Sequence, residues 1–442
     1  MNRKRFLFPC ILLIALMATA CTGSESAAAP ASATSEAVEM ATATVTLPPA
    51  PAPTDVPVTP LTIWLSWEPH ELQGLLTLID EFNEEFPTVS FSLRFAPEDD
   101  LLAVFLDAQA ETPHPALLLG PSSWGPELQA AAVVLPLNDL VDAELLAGVS
   151  ELGWAQVQVG DDIVGLPFEL QGMLLYRNMG LTSAPAGTLS AWVDSAEAIA
   201  GEGILGSALD FTFDTTVSQL AACGMPLFPE TGLYGFSGEN GICWLDVLYE
   251  MRQTGQVYFG SNEDDALFLE GNAGWWIGSS NEIHNLVGGS GIDVTVDAWP
   301  TYEATGDALA GFVWSENIYF SMEQNPDSLQ AAWNFGRFLL SAESQRLLSD
   351  PAGAAHITVL SALDLGDPLM AAATSAIHSG VAYPLRADLD VFRRPLEEVV
   401  FDVLLQGRDP AAALAAAEDT IAFSFSILAV GGELPEEEGS EP

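Results

Sequence analysis

Between Leu61 and Leu119 the hydrophobic pattern changes period four times, and that alternation constrains the fold more than any other feature of the chain. Leu61-Thr62-Ile63-Trp64-Leu65 is an apolar run of strand length. Pro69 stands where a helix can begin, and Leu72, Leu75, Leu76, Ile79, Phe82 and Phe86 recur at helical spacing until Pro87 stops them. Val89, Phe91, Leu93 and Phe95 then alternate with Ser90, Ser92 and Arg94, the period of a strand. A helix over Leu101 to Ala110 and a short strand over Ala116 to Leu119 complete the series. Strands and helices in this order mean a parallel sheet with crossover helices, an α/β fold. Ligands of such sheets bind beyond the carboxyl ends of the strands. That puts Ser66-Trp67-Glu68 and Gly120-Pro121-Ser122-Ser123-Trp124 on one rim.

With 442 residues the chain can form two or three domain-sized units. Apolar residues run on beyond a dozen only at the N-terminus, which excludes a multi-span membrane protein. Acidic residues number 61 against 12 basic ones, a net charge of -49. The only lysine is Lys4, and past Arg5 the chain carries nine arginines. A field this negative repels phosphate backbones, so nucleic acid is excluded as a partner.

Arg3, Lys4 and Arg5 precede the apolar stretch from Phe6 to Met17, and Ala18-Thr19-Ala20 offers small residues for cleavage; residues 1–20 read as an export signal. A small-residue triplet before Cys21 resembles a bacterial lipobox, in which the cysteine is acylated. Ala18-x-Ala20 equally suits an ordinary signal peptidase, which would release a soluble protein. Residues 21–60 favour the lipid: from Thr22 to Pro60 they are almost wholly Ala, Ser, Thr, Pro and Val, a disordered tether useful only if its start is anchored. In an exported chain Cys223 and Cys243, 20 residues apart, read as a disulfide. Zinc would need two ligands beyond these thiols, and His284 is the only imidazole near.

The folded part carries a family resemblance. "LTIWLSW", "LLTLIDEFNEEFP" and "VSFSLRF" resemble the opening of a family-1 extracellular solute-binding protein, the maltose-binding-protein type. "VVLPLNDLV", "GDDIVGLPFELQGMLLYRN", "FLEGNAGWWIGSS", "VTVDAWP", "NPDSLQAAWNFGRFLLSAESQRLL" and "VLLQGRDPAAALAAAEDTI" continue the likeness in the family's order. It implies a two-lobe periplasmic-binding-protein fold of type II, each lobe a sheet flanked by helices, with the ligand cleft at the hinge. By correspondence the N-lobe is 61–167 plus 296–348 and the C-lobe 168–295 plus 349–430, with 431–442 a disordered acidic tail. The implied role is the substrate-binding subunit of an ABC importer, monomeric, lipid-anchored outside the cytoplasmic membrane or in the periplasm, that docks on permease subunits.

The family's contacts map onto this sequence one motif at a time. Trp67 and Glu68 fall in the first ligand loop, and Ser122, Ser123 and Trp124 in the loop after the third strand. The aspartate usual after a proline in that strand is replaced by Ala116. Glu169 and Gln171 fall just past the hinge, Asn281 stands where a tryptophan is common, and Trp314 lies in the strand along the cleft floor. Of Trp275 and Trp276, alternation sends one into the core and one toward the cleft, and we assign the cleft to Trp276. Trp64 points opposite to its neighbours in a buried strand and reads as core.

Tryptophans mixed with Glu, Ser, Gln and Asn suit a mono- or oligosaccharide, whose ring faces stack on indoles while hydroxyls pair with carboxylates and amides. The same mixture would hold a cationic amine. A sensory subunit on the same fold is a further alternative, and a secreted glycoside hydrolase a weaker one. No catalytic motif stands out: there is no Gly-x-Ser-x-Gly, no His-Glu-x-x-His and no phosphate loop. His70, His114, His284, His356 and His378 are scattered along the chain and read as surface or core; neither metal nor cofactor is expected.

Overall fold

The computed structural model describes residues 58–108, 115–229, 234–261, 263–289 and 291–429. The export signal, Cys21, the tether before Val58, His114 and the acidic tail lie outside the described residues. Three parallel strands, β1 (Thr59–Leu65), β2 (Val89–Phe95) and β3 (Leu117–Pro121), are joined by α1 (Pro69–Glu85) and α2 (Glu98–Asp107), as the alternating periods predict. β1 begins at Thr59, inside the stretch read as tether. A small hairpin of β4 (Gln158–Val159) and β5 (Asp162–Ile163) leads into the longest strand, β6 (Leu166–Asn178). Next come β7 (Leu205–Asp210), β8 (Gly255–Tyr258), β9 (Ala273–Ser279) and β10 (Val294–Asp297). Then follow β11 (Phe312–Phe320), β12 (Ile357–Thr358) and β13 (Val381–Ala382).

The strand order is β2-β1-β3-β11-β6-β9-β7-β8. β6 is the seam. Its first half, Leu166 to Gly172, pairs antiparallel with β11, and its second half, Met173 to Arg177, pairs antiparallel with β9. Two sheets therefore share one strand. Gly172 sits at the change of partner, where a Cβ would lie 2.4 Å from the Phe312 carbonyl oxygen and 2.8 Å from the Ile377 side chain. No other residue fits there without displacing backbone.

Alternation sorts the core. Leu61, Ile63 and Leu65 of β1 pack in one cluster with Leu75, Leu78 and Phe82 of α1 and with Phe335 and Leu339 of the helix Pro326–Leu339. Leu76, expected on the buried face of α1, is 39% exposed. Trp64 points the other way, edge-on to Phe105 with the Arg94 guanidinium over its ring, so its reading as core holds. In the second sheet Arg177 and Asp297 form a buried ion pair at 2.8 Å, and the Trp275 indole N–H donates to the same carboxylate at 3.2 Å. Cys223 and Cys243 are bridged, tying the 3-10 turn Val217–Cys223 to the helix Glu239–Met251. The helix Pro410–Ala429 is, by length and composition, apolar enough to cross a membrane. It buries Ala413, Leu414, Ala417 and Ile421 in the core of the second sheet.

Replacing Asp297 with Ala would leave the Arg177 charge buried and unpaired, at a cost of about 3–5 kcal/mol. Urea denaturation reads that cost directly, and a loss below about 1 kcal/mol would contradict a buried pair.

Candidate functional site

A cavity of about 700 Å³ opens beside the seam. The loop after β1, the first turn of α1 and the end of β3 wall one side, and the 3-10 turn and helix after β9 (Ser280–Glu282, Ile283–Gly288) wall the other. Its floor is laid by β6 and β11, which meet in register: Trp314 lies opposite Gln171, and Glu316 opposite Glu169. Six glutamates and no lysine or arginine line it.

Local chemistry explains these placements. Pro69 starts α1, and Glu68 and Glu71 close a capping box in which the Glu68 backbone N–H donates to Glu71 Oε2 at 2.7 Å. That fixes one Glu71 oxygen and turns the carboxylate toward the cleft, where the positive end of the helix also favours negative charge. On β6 the period of two sends Phe168 and Leu170 to the core and Glu169 and Gln171 to the cleft side.

The floor is one connected polar chain. The Trp314 indole donates to Gln171 Oε1 at 2.8 Å, and Gln171 Nε2 donates to Glu169 Oε2 at 3.2 Å. His356 Nε2 lies 3.5 Å from Glu169 Oε2 and 3.7 Å from Glu71 Oε1. The Trp67 indole donates to Glu316 Oε1 at 3.3 Å; its ring stacks on Phe168 at 5.4 Å and meets His356 edge-on at 5.2 Å. His70 and His284 stack across the cleft at 4.0 Å.

Burial dominates the protonation of these groups. It pushes the Glu169 carboxyl up to about 7, against the pull of His356. Glu316 is driven well above the carboxylate range by burial and then by the Glu169 charge opposite it. For His356 burial opposes the proton, but Glu169 and Glu71 outweigh it and the net shift is upward. Burial also works against the Glu71 charge, yet His356 and the Glu68 N–H hold its carboxyl below the usual value.

Of the ten ligand residues expected from sequence, Trp67, Glu68, Glu169, Gln171, Asn281 and Trp314 line this cavity. Four do not. Trp276 is a correction: it is 3% exposed, stacked on Tyr176 and Phe268, with its indole held by Asp264 at 2.9 Å. Trp275 is equally buried in the opposite cluster, because this sheet is covered on both faces. Ser122 is buried, and its hydroxyl donates to Gln156 at 2.9 Å. Trp124 folds back over Gly120, and Ser123 lines a separate depression beside Tyr383. Four side chains were missed. Glu316 lies two residues beyond Trp314 on the same strand face, so carrying the alternation one step further finds it. His70 and His284 line the cavity, and His356 stands behind it, from three distant parts of the chain. No sequence spacing links them.

The sequence matches the profile of the bacterial extracellular solute-binding proteins over residues 77–373. The chain belongs to that family. None of the curated proteins compared with it matches in sequence. Among solved structures, a cyclo/maltodextrin-binding protein complexed with maltotetraose superposes with a TM-score of 0.73 at 18% identity, covering 85% of this chain and 98% of that one. The cyclic alpha-maltosyl-1,6-maltose binding protein of Arthrobacter globiformis gives 0.69 at 16% identity, covering 83% and 98%. The Thermus thermophilus maltotriose binding protein, bound with maltotriose, gives 0.65 at 16%, covering 82% and 98%. The shared fold is the two-lobe α/β architecture expected from the motifs.

Asp264 supplies a check on the Trp276 placement. Burial raises its carboxyl to about 6, above the usual value of 3.8, although Trp276 opposes the shift. A raised acid stabilises the fold fully below pH 3.8, and that contribution is lost as pH rises through about 6. The melting temperature of Asp264→Asn, which keeps an acceptor for Trp276, should therefore gain on wild type between pH 4 and 6. A constant difference would place Asp264 in water.

Proposed function

We propose that this chain is the substrate-binding subunit of an ABC importer and that it captures a mono- or oligosaccharide in the cleft beside β6. The observation that carries this reading is the lining itself. Trp67 and Trp314 offer apolar ring faces, while Glu68, Glu169, Gln171 and Asn281 offer acceptors and donors for hydroxyls, in a cavity of small-molecule size. The structural neighbours named for maltooligosaccharides support the same ligand class. We place the N-lobe at 61–167 plus 296–348 and the C-lobe at 168–295 plus 349–430. Lining residues come from both: Trp67, Glu68 and Trp314 from the first, Glu169, Gln171 and Asn281 from the second. A solute touching both lobes favours the closed state by its differential affinity, and closure reports occupancy to the permease. The protein is exported, a monomer, held outside the cytoplasmic membrane by acylated Cys21 and its tether.

A second reading has its own support: six glutamates with no cationic side chain among the lining residues also suit a cationic amine. A thermal-shift series of maltose to maltotetraose, other saccharides and polyamines separates the two. A solute at a hundred times its dissociation constant stabilises by about 2.7 kcal/mol. A saccharide should raise the melting temperature of wild type, and Trp67→Ala should abolish the rise. Shifts with polyamines and none with saccharides would overturn the carbohydrate reading.

A further inference from the structure

We propose that Glu71, Glu169 and His356 form a binding site for a divalent transition-metal ion at the inner end of the cleft. Glu71 Oε1, Glu169 Oε2 and His356 Nε2 converge from the first turn of α1, from β6 and from the segment before β12, with one ligand atom of each within 4.8 Å of the others. Separations of 3.5 and 3.7 Å from Nε2 to the two carboxylates are too long for good hydrogen bonds. They match the spacing of two ligands on one ion, about 3.4–3.6 Å for bonds of about 2.1 Å at roughly tetrahedral to trigonal angles.

The independent observation is His356 itself. It is 3% exposed, and neither ring nitrogen has a hydrogen-bond partner among the described residues. A buried imidazole whose nearest polar groups are two carboxylates beyond good hydrogen-bonding distance is costly unless something fills the space between them. Trp67 and Phe168 both pack against its ring edge-on, at 5.2 and 5.6 Å. The preceding Ala355 is held in the left-handed region at φ 58°, a conformation that an L-residue adopts at a cost.

Glu71 is oriented from behind as a metal ligand is: the Glu68 N–H donates to the oxygen that faces away from His356. Gln171 Nε2 donates to Glu169 Oε2, the ligand oxygen itself, and so fixes its position. One imidazole and two carboxylates favour a borderline ion such as Zn(II), Co(II) or Fe(II) over Ca(II) or Mg(II), which take oxygen ligands alone. Two carboxylates neutralise the ion's charge. Three protein ligands leave a coordination position open toward the cleft, where a solute hydroxyl or water would complete the sphere. The site does not depend on the solute being a saccharide.

The test uses the whole protein, stripped with EDTA and titrated with Co(II), read by its visible absorption and by quenching of Trp67, whose ring lies 5.2 Å from His356. One equivalent should bind saturably, with the bands of a low-symmetry, non-aqueous site. Glu71→Gln, which keeps the capping acceptor, and His356→Gln should each weaken binding at least tenfold; folding of both is checked by circular dichroism. Weak, unsaturable uptake, or binding unchanged in both variants, would overturn the proposal and leave only the general attraction of an acidic surface. A saccharide shift that persists in EDTA with no Co(II) uptake would defeat the metal site alone. Stoichiometric uptake with no saccharide shift would defeat the carbohydrate reading alone.

Discussion

One strand holds the molecule together. The backbone of β6 spends its hydrogen bonds on β11 along its first half and on β9 along its second, with β10 and β12 alongside. Pairing on so many sides pins its register, and register decides which side chains reach the cleft. A slip of one residue would turn Glu169 and Gln171 into the apolar core and Phe168 and Leu170, which are now fully buried, toward the cleft. Gly172 marks the handover, and its N–H donates to Ser280 Oγ, in the turn after β9, at 3.1 Å. The cleft floor and the connection between the sheets are thus the same stretch of chain.

That shared strand also sets the electrostatics. Register puts Glu169 directly opposite Glu316, two buried carboxylates on adjacent strands with no lysine or arginine among the cleft-lining residues. Like charges opposed in this way are destabilising. The pair is relieved by protons, by the His356 ring, by the Trp67 indole and by whatever enters the cleft. Hydroxyl donors from the proposed saccharide and the proposed divalent cation would act on the same imbalance, the first by hydrogen bonds and the second by charge. Elsewhere in the core the chain avoids it: Asp297 has Arg177 and Asp264 has Trp276.

Features carried by short-range pattern were legible in the sequence. The strands and helices from β1 to β3, the placing of Trp64 on the opposite face of β1 and the cleft-side pair on β6 all follow from periods of two and 3.6, which belong to the backbone. The Cys223–Cys243 bridge followed from compartment rather than pattern. Trp276 failed for a physical reason: alternation separates two faces but cannot say whether a face meets solvent or a second layer, and helices cover both faces of this sheet. Ser122 and Trp124 were placed on the correct rim, yet each turns inward to satisfy a local contact, with Gln156 and Gly120 respectively. His70, His284 and His356 come together only through tertiary folding. Glu316 was within reach, because it continues the alternation that identified Trp314.

The proposed importer role turns on closure of the cleft, and small-angle scattering measures that closure most directly. Scattering is recorded from the protein alone and with saturating maltotriose, occupancy being established by the thermal shift. A radius of gyration that falls on saturation, and that does not fall in Trp67→Ala, is the expected result. An unchanged radius at full occupancy would mean that solute binds without drawing the lobes together, and the cleft would have no means of reporting its occupant.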